Sequence, residues 1–246
     1  MSQIADWLCE ADQVVAFTGA GISTESGIPD FRSPNGVWAT NRQIDFQEFL
    51  SSADGRYEYW RQKSLAHRAF HDAQPNIGHR VLVRWEQQGK LRGVITQNID
   101  GLHQLAGNSV VHELHGTARD IACLSCSYRT PADPLVEQFL KTDLVPDCPE
   151  CGRLLKHATV SFGQSLPEEA FEASVDLART SDLFFVLGSS LVVYPAAGIP
   201  QVAKQSGARL VIINRDETPL DGIADAVIRS SIGETLAAID RAMSAT

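Results

Sequence analysis

Short runs of consecutive apolar residues recur along the chain, and each run leads into glycine or polar residues. Four of them are Val14 to Thr18, Gly93 to Thr96, Leu183 to Leu187 and Leu210 to Ile213, and Val110 to Leu114 is a fifth candidate. Runs of this length are typical of strands buried on both faces of a parallel sheet. The pattern therefore predicts an α/β protein.

Segments with helical periodicity separate these predicted strands. Asp6 to Ala11, His79 to Gln88, Ala196 to Gly207 and Ile232 to Met243 are the clearest. Strands that alternate with helices predict a parallel sheet covered by helices on both faces. Ligands of such sheets bind beyond the carboxyl ends of the strands, so the polar residues that follow each run are expected to meet in one crevice.

Two segments depart from this alternation. Residues 33–78 are rich in aromatic, polar and turn residues and predict a helical excursion from the sheet. Residues 118–156 contain four of the five cysteines, among segments with proline and aspartate.

Composition limits the size and environment of the protein. The chain has 246 residues, 43% of them hydrophobic, which suits one large domain with or without a small module. Its 30 acidic and 21 basic residues give a formal net charge of −9 without a basic run, which argues against nucleic-acid binding. The chain shows no secretion signal and no apolar run near the roughly 20 residues of a membrane span. We therefore expect a cytoplasmic protein that does not enter a membrane.

Four cysteines have the spacing of a metal site. Cys123 and Cys126 form one pair, Cys148 and Cys151 form the other, and 21 residues separate the pairs. Four thiolates in tetrahedral geometry hold a structural zinc ion and leave no open position. A single pair would leave unpaired or redox-active cysteines as an equal alternative. With two pairs, we predict a structural site for one zinc ion.

A glycine-rich turn follows the first predicted strand. Gly19-Ala20-Gly21 would let the backbone approach a pyrophosphate closely. The dinucleotide fingerprint, however, needs a third glycine where this chain has Thr24, and no acidic residue ends an obvious second strand about 20 residues later. On these residues alone, a tight turn between strand and helix is an equal alternative.

Longer motifs are more specific. Residues 19–32 (GAGISTESGIPDFR) resemble the NAD-binding motif of the sirtuin family of NAD-dependent protein deacylases. Residues 96–103 (TQNIDGLH) resemble the second motif of that family, and residues 113–116 (ELHG) resemble the segment with its catalytic histidine. The cysteine pairs and residues 162–163, 188–196 and 213–214 continue the series in the family's order. By these motifs the chain is identified as a bacterial-type, single-domain member.

The resemblance implies a fold in which the whole chain forms one catalytic domain with two lobes. Residues 1–32, 79–117 and 157–246 would form a Rossmann-like parallel sheet that binds NAD. Residues 33–78 would form a helical module and residues 118–156 a zinc-binding module, which together make the small lobe. NAD and the acyl-lysine would enter the cleft between the lobes from opposite sides.

The resemblance also implies an activity, NAD-dependent deacetylation of protein lysines. NAD would be a co-substrate, the acetyl group would be transferred to ADP-ribose, and nicotinamide would be released. The catalytic residues would be His115, Asn98 and Asp100, with His115 as the general base on the ribose hydroxyls. His112 is the alternative base by residue type, but the motif match favours His115.

The other site residues follow from the same motif matches. Lysine-bearing peptides would bind as an added strand, through main-chain hydrogen bonds. The peptide and the lysine stem would contact Val160, Phe162, Gly163 and Val193. NAD would contact Gly19, Ala20, Gly21, Thr24, Asp30, Phe31, Arg32, Gln97, Asn98, Ile99, Asp100, His115, Gly188, Ser189, Ser190, Asn214 and Asp216.

The segment on the substrate side departs from the family pattern. Lys156-His157 stands where Arg-Pro is common, Ser161 where an apolar residue is usual, and Gln164 where glutamate is common. Members that favour succinyl or malonyl groups carry Tyr-x-x-Arg, a spacing that residues 57–62 lack. This difference favours acetyl or other neutral acyl groups.

Other functions stay open at this point. A mono-ADP-ribosyltransferase would share the chemistry up to the loss of nicotinamide, and a deacylase could prefer other acyl groups. A non-catalytic NAD sensor would be expected to have a damaged base or pocket, and a dehydrogenase would need the missing glycine. We expect a monomer that acts on acetyl-lysine-bearing proteins or peptides and does not bind nucleic acid.

Overall fold

The computed structural model describes residues 2–31, 33–34 and 36–243. Within these residues the strands form two sheets, one of six parallel strands and one of three antiparallel strands. The strands are β1 (Val14–Thr18), β2 (Leu91–Thr96), β3 (Val111–Glu113), β4 (Gly116–Cys123), β5 (Arg129–Pro131), β6 (Leu155–Thr159), β7 (Leu183–Leu187), β8 (Arg209–Ile213) and β9 (Ala226–Ile228).

Helices connect the strands and cover the sheets. They are α1 (Ser2–Glu10), α2 (Val37–Thr40), α3 (Phe46–Ser51), α4 (Ala53–Asp72), α5 (Ile77–Gln87), α6 (Leu102–Ala106), α7 (Ala132–Thr142), α8 (Glu168–Thr180), α9 (Ile199–Gln205) and α10 (Ile232–Met243). Short 3₁₀ helices span Ala20–Ser26, Ala196–Gly198 and Asp221–Ile223. In the part of the chain described here, no helix combines the length and the apolar character that crossing a membrane requires.

The large sheet has the strand order β3-β2-β1-β7-β8-β9. Every residue of β1 and of β7 is buried, because helices cover both faces. Helices α1, α5 and α10 pack on one face around Leu8, Trp85 and Leu236, and α8 and α9 pack on the other around Ala178 and Ile199. This arrangement confirms the predicted Rossmann-like α/β fold.

The chain reverses its direction of strand addition between β1 and β7. It builds β2 and β3 on one side of β1, then crosses to place β7, β8 and β9 on the other side. Such a reversal leaves a crevice at the carboxyl ends of the two central strands, which is where ligands bind in open α/β sheets.

The small lobe consists of the antiparallel sheet β5-β4-β6 together with α3, α4 and α7. Phe49, Tyr59 and Trp60 from the helical segment share one apolar core with Phe139 and Leu155 from the cysteine-containing segment. The helical and zinc-binding modules therefore pack as one body. Strands β4 and β6 run across positions 118 and 156, and the division of the chain at those positions stays a prediction.

Several predicted elements differ from the observed ones. The first helix begins at Ser2 rather than Asp6. The segment from Ala196 to Gly207 is a 3₁₀ turn followed by α9, with Pro200 in the first turn of the α-helix, where its missing N–H costs no hydrogen bond. The glycine-rich turn continues into a 3₁₀ helix, in which only Ile22 and Ser23 are buried.

Candidate active site

One large cleft opens at the carboxyl ends of β1, β2, β7 and β8, between the parallel sheet and the small lobe. Its volume is about 1370 Å³. Two predicted residues are not in its wall: Asp100 lies behind it, and Arg32 lies outside the described residues. The predicted residues that line it are Gly19, Ala20, Gly21, Thr24, Asp30, Phe31, Gln97, Asn98, Ile99, His115, Val160, Phe162, Gly163, Gly188, Ser189, Ser190, Val193, Asn214 and Asp216.

The glycines at the ends of β1 and β7 are needed because the two turns pass very close to each other. A Cβ atom on Gly19 would lie 2.7 Å from the Gly188 carbonyl oxygen, and one on Gly21 would lie 2.6 Å from the Gly188 Cα. Gly188 itself has a φ of +68°, in the left-handed region that favours glycine. Glycine is therefore required here by backbone crowding, independently of any ligand.

His115 follows β3 and is held by a main-chain group. Its Nδ1 lies 2.9 Å from the carbonyl oxygen of Gln97. A carbonyl oxygen only accepts, so Nδ1 carries the hydrogen and the Nε2 lone pair is left to accept a proton. Burial lowers the pKa of His115, and the hydrogen bond to Gln97 opposes this shift. The imidazole is thus kept in the neutral form that a general base requires.

A buried hydrogen-bonded group connects the first two motifs. The Ser23 hydroxyl donates to Asp100 Oδ2 at 2.7 Å and accepts from Asn98 Nδ2 at 3.1 Å. The same Asn98 amide donates to the Gly19 carbonyl oxygen at 3.1 Å. Ser23 is fully buried and is the shared partner of both predicted catalytic residues. It was not among the predicted site residues, because its position between two motif glycines gave no sign of this contact.

Asp100 is buried behind the cleft wall. Its Oδ1 accepts from the Leu102 amide at 2.9 Å at the start of α6, and Arg119 Nε donates to the Asp100 carbonyl oxygen at 2.7 Å. Burial raises the pKa of the Asp100 carboxyl, although the hydrogen bonds from Leu102 and Ser23 oppose the shift. Asp100 is thus joined to the cleft wall through Ser23 and Asn98, and its direct contact with NAD stays a prediction.

The far end of the cleft is formed by the residues after β7, β8 and β9. Gln97 Nε2 donates to Ser189 Oγ at 2.7 Å, and Asn214 Nδ2 donates to the Asp216 carbonyl oxygen at 2.8 Å. Arg229 also lines this end and donates to the Asn214 carbonyl oxygen at 3.1 Å. The sequence did not predict Arg229 as a site residue, because β9, the strand that precedes it, has only three residues and is too short to predict.

Two loops border the cleft entrance. Phe162 is 47% exposed, and Gly163 has a φ of +82°. Across the cleft, Val193 lies in the loop after β7, beside the exposed Val192 and Tyr194. Val160 lies deeper, and its amide donates to the His115 carbonyl oxygen at 2.8 Å.

The four paired cysteines meet in the small lobe. Sγ of Cys123 lies 3.5 Å from that of Cys151, and Sγ of Cys126 lies 3.6 Å from that of Cys148. All four sulfur atoms lie within 4.8 Å of one another. Zinc–sulfur bonds of about 2.3 Å in a tetrahedron require sulfur atoms about 3.8 Å apart. The cluster fits one structural zinc ion and leaves no position for a substrate.

Comparisons with known proteins agree with this geometry. The model of the Sir2 family matches residues 19–195. An NAD-dependent protein deacetylase of Rhodopseudomonas palustris is 50% identical over 238 residues, which cover 96% of this chain and 94% of the relative. NAD-dependent protein deacetylase 1 of Bradyrhizobium diazoefficiens is 49% identical, covering 96% of this chain and 93% of the relative.

Solved structures give the same result. A Sir2 structure with a deacetylated p53 peptide and 3′-O-acetyl ADP-ribose has a TM-score of 0.90 at 38% identity, covering 98% of this chain and 97% of that one. A Sir2 structure with a p53 peptide and NAD⁺ has a TM-score of 0.89 at 36% identity, covering 99% and 98%. This chain belongs to the Sir2 family, the sirtuins.

Proposed function

We propose that this chain is an NAD-dependent protein-lysine deacetylase. In the reaction, acetyl-lysine, NAD⁺ and water give lysine, nicotinamide and O-acetyl-ADP-ribose. The acyl oxygen forms a new bond to the ribose carbon as the bond from that carbon to nicotinamide breaks. The amide bond of acetyl-lysine then breaks, a new ester bond joins the acetyl carbon to a ribose hydroxyl oxygen, and water supplies the carbonyl oxygen of the ester. The lysine amine leaves with the protons released by the hydroxyl and by water.

The observation that carries this proposal is the orientation of His115. Its Nδ1–H bond to the Gln97 carbonyl oxygen leaves Nε2 as a proton acceptor in the wall of the cleft. General bases of this kind contribute about 10²- to 10⁴-fold to the rate. His115 would take the proton from a ribose hydroxyl as that oxygen attacks the acyl carbon. The low pKa that burial gives His115 supports this role, because the base is neutral at pH 7.

Asn98 and Asp100 would act at the nicotinamide end of the cosubstrate. Asn98 lines the cleft, and Ser23 joins it to Asp100 behind the wall. We propose that Asn98 contacts nicotinamide, and that Asp100 is a positioning residue that fixes Asn98 through Ser23. The Gln97 and Ser189 pair would hold the ribose, and Asn214 with Asp216 would hold the adenosine.

The peptide would bind between the two loops at the entrance. Gly163 and Val193 would offer main-chain groups, and Val160 and Phe162 would enclose the lysine stem. The zinc ion, when bound by the four cysteines, would hold the small lobe together, because a four-thiolate site has no open position for a substrate.

As part of the same proposal, the protein acts as a cytoplasmic monomer on acetylated proteins and does not bind nucleic acid. The formal net charge of −9 supports the last point, since nucleic-acid binding proteins present basic surfaces.

Mass spectrometry of an acetyl-lysine peptide, incubated with the protein in the presence and absence of NAD, tests the proposal. We expect an NAD-dependent loss of the acetyl mass. Nicotinamide release with a mass gain on protein would instead indicate ADP-ribosyl transfer. A peptide that stays acetylated while NAD is not consumed would overturn the proposed deacetylase.

A further inference from the structure

Two histidines lie one turn apart near the end of helix α4. His67 and His71 have the i, i+4 spacing that places side chains on the same helix face, and their ring centroids lie 6.1 Å apart. The His67 side chain is 15% exposed and the His71 side chain 55%, so solvent reaches the pair. Two histidines with this spacing on one helix are a recurrent pair of zinc ligands.

A carboxylate from a different helix lies close to both rings. Asp133, in the first turn of α7, places Oδ1 2.6 Å from His67 Nε2 and 3.9 Å from His71 Nε2. Nitrogen and oxygen ligands about 2.0–2.1 Å from an ion in tetrahedral geometry lie about 3.3 Å apart. The first separation would therefore widen by about 0.7 Å and the second would narrow by about 0.6 Å. Rotation of the half-exposed Asp133 and His71 side chains can supply both changes.

A second carboxylate orients the His71 ring. His71 Nδ1 lies 3.2 Å from Asp72 Oδ1. An ionised carboxylate only accepts, so Nδ1 carries the hydrogen and, in the neutral ring, Nε2 carries the lone pair. A carboxylate on the other ring nitrogen is the usual partner of a histidine that binds zinc. Two acceptors, His71 Nε2 and Asp133 Oδ1, thus lie 3.9 Å apart, and a cation between them would stabilise both.

The ligand atoms indicate which ions the cluster would bind. Imidazole nitrogen suits zinc, nickel and copper, whereas magnesium and calcium prefer oxygen ligands. At His67, Nε2 donates its hydrogen to Asp133 Oδ1. When Nε2 binds an ion, the hydrogen of the neutral ring moves to Nδ1 through solvent, and a charged ring releases one proton.

A small cavity opens at the same side chains. Its volume is about 30 Å³, which is enough for one ion or one water molecule. His67, His71 and Asp133 form one part of its wall, and Asp100 and Arg119 form another. Arg119 Nε donates to the main-chain carbonyl oxygen of Asp100, so this guanidinium is held by the loop after β2. The space beside the three ligands can therefore hold an ion.

We propose that His67, His71 and Asp133 bind one divalent transition-metal ion, such as Zn²⁺ or Ni²⁺, at a second metal site. Three protein ligands leave a position for water, and two of the three are half-exposed, so this ion exchanges with solution more readily than one held by four cysteines. Because α4 and α7 belong to different modules of the small lobe, the ion would cross-link them. The site involves neither NAD nor a peptide, so it does not depend on the proposed function.

Nickel binding to the zinc-loaded protein tests the proposal. The protein, free of any affinity tag, is brought to equilibrium with NiCl₂ by dialysis, and nickel and zinc per chain are measured by elemental analysis. We expect one nickel ion per chain and no loss of zinc. Calorimetric titration then gives the Kd for nickel. His71→Ala should raise this Kd by at least about tenfold, since loss of even an outer partner of a metal ligand costs about 10- to 100-fold.

His67→Gln separates metal binding from the hydrogen bond between the two helices. Glutamine keeps an N–H donor for Asp133 but is a poor ligand for nickel. The thermal midpoint without nickel should therefore be retained, while the rise in thermal midpoint that nickel causes in the unaltered protein should be lost. His112→Ala is the matched control, because it removes a partly buried histidine of β3 that is not in the cluster, and its Kd for nickel should be unchanged.

Three results would overturn the inference. The first is equal nickel affinity in the unaltered protein, His67→Gln and His71→Ala. The second is nickel that enters only as an equal amount of zinc leaves, because this shows exchange at the four cysteines. The third is the absence of saturable nickel binding at millimolar concentration.

Discussion

The polar side chains of the cleft are positioned by groups that come from other elements. His115, after β3, is fixed by a carbonyl after β2, and Asn98 is fixed by a hydroxyl from the 3₁₀ helix after β1. Each partner follows the carboxyl end of a parallel strand, so the register of the sheet sets their distances. Removing one of these groups should change the chemistry more than the fold.

His115→Ala should reduce kcat by about 10²- to 10⁴-fold, because it removes the base that accepts the ribose proton. The thermal midpoint and NAD affinity should change little, since His115 is only partly buried and, among the described residues, its side chain is held by one hydrogen bond, to the Gln97 carbonyl oxygen. His112→Ala is the matched control and should keep kcat within a few-fold. Unfolding of His115→Ala, or an inactive His112→Ala with normal His115→Ala activity, would contradict the assignment.

Ser23→Ala should impair both Asn98 and Asp100. It removes the donor to Asp100 and the acceptor for Asn98 in a fully buried position, which should lower the free energy of unfolding by about 1–3 kcal/mol. It should also lower kcat by roughly tenfold, since ~1.4 kcal/mol of lost positioning is a factor of ten. Ser26→Ala, in the same 3₁₀ helix, contacts Asn76 instead and should keep kcat. Equal kcat losses in the two variants would argue against the positioning role.

Among the elements, the strands buried on both faces were predictable and the half-polar ones were not. Val14–Thr18 and Leu183–Leu187 have the predicted bounds. An unbroken apolar run of this length is stable only when both of its faces are buried, so the sequence determines where it lies. β6 was missed, since Lys156 and His157 within it are polar residues that become buried only through contacts with α4. β4 was missed because its buried and partly buried residues follow no regular alternation.

The same reasoning applies to the site. The glycine-rich turn, Asn98 and His115 could be assigned from motifs because each follows a strand within one short segment. Ser23 and Arg229 could not, because their roles depend on contacts with residues far away in the sequence.

The four-cysteine cluster is expected to stabilise the small lobe when it binds zinc. Cys148→Ser should abolish zinc binding, measured by metal analysis, because three thiolates and a hydroxyl bind zinc weakly at neutral pH. Structural zinc contributes folding energy directly, so the thermal midpoint should fall by roughly 10 °C or more. Cys9→Ser, in α1 and remote from the cluster, should retain one zinc ion and its thermal midpoint. A zinc-free but equally stable Cys148→Ser would show that the metal is dispensable for the fold.

For the whole molecule, buried histidines connect pH to stability. His79, His103 and His157 are all buried, and the His79 and His103 rings lie 4.8 Å apart. Burial is the first cause of the lowered pKa of each, to about 4 for His79. Neighbouring basic residues lower the pKa further. Arg80 acts on His79 in this way, and His157 is affected by Lys63, His67 and Lys156.

Stability should therefore fall as the pH falls below about 6.5, the pKa of histidine in an unfolded chain. Below that value the unfolded state binds protons that the folded state excludes, so the free energy of unfolding rises with pH in this window. Each histidine should lower the free energy of unfolding by up to about 1.4 kcal/mol for each pH unit below that value. Urea denaturation between pH 7 and pH 5.5 measures the slope, and His103→Gln should reduce it. A flat profile would mean that these histidines are not buried in the neutral form.

The product stoichiometry of one reaction tests the deacetylase activity most directly. Acetyl-lysine peptide, NAD and the protein are incubated, and nicotinamide, deacetylated peptide and O-acetyl-ADP-ribose are quantified in the same sample. Equal amounts of all three are expected, and His115→Ala should form deacetylated peptide and O-acetyl-ADP-ribose about 10²- to 10⁴-fold more slowly. Deacetylated peptide with free acetate and unconsumed NAD, or nicotinamide without deacetylated peptide, would contradict it.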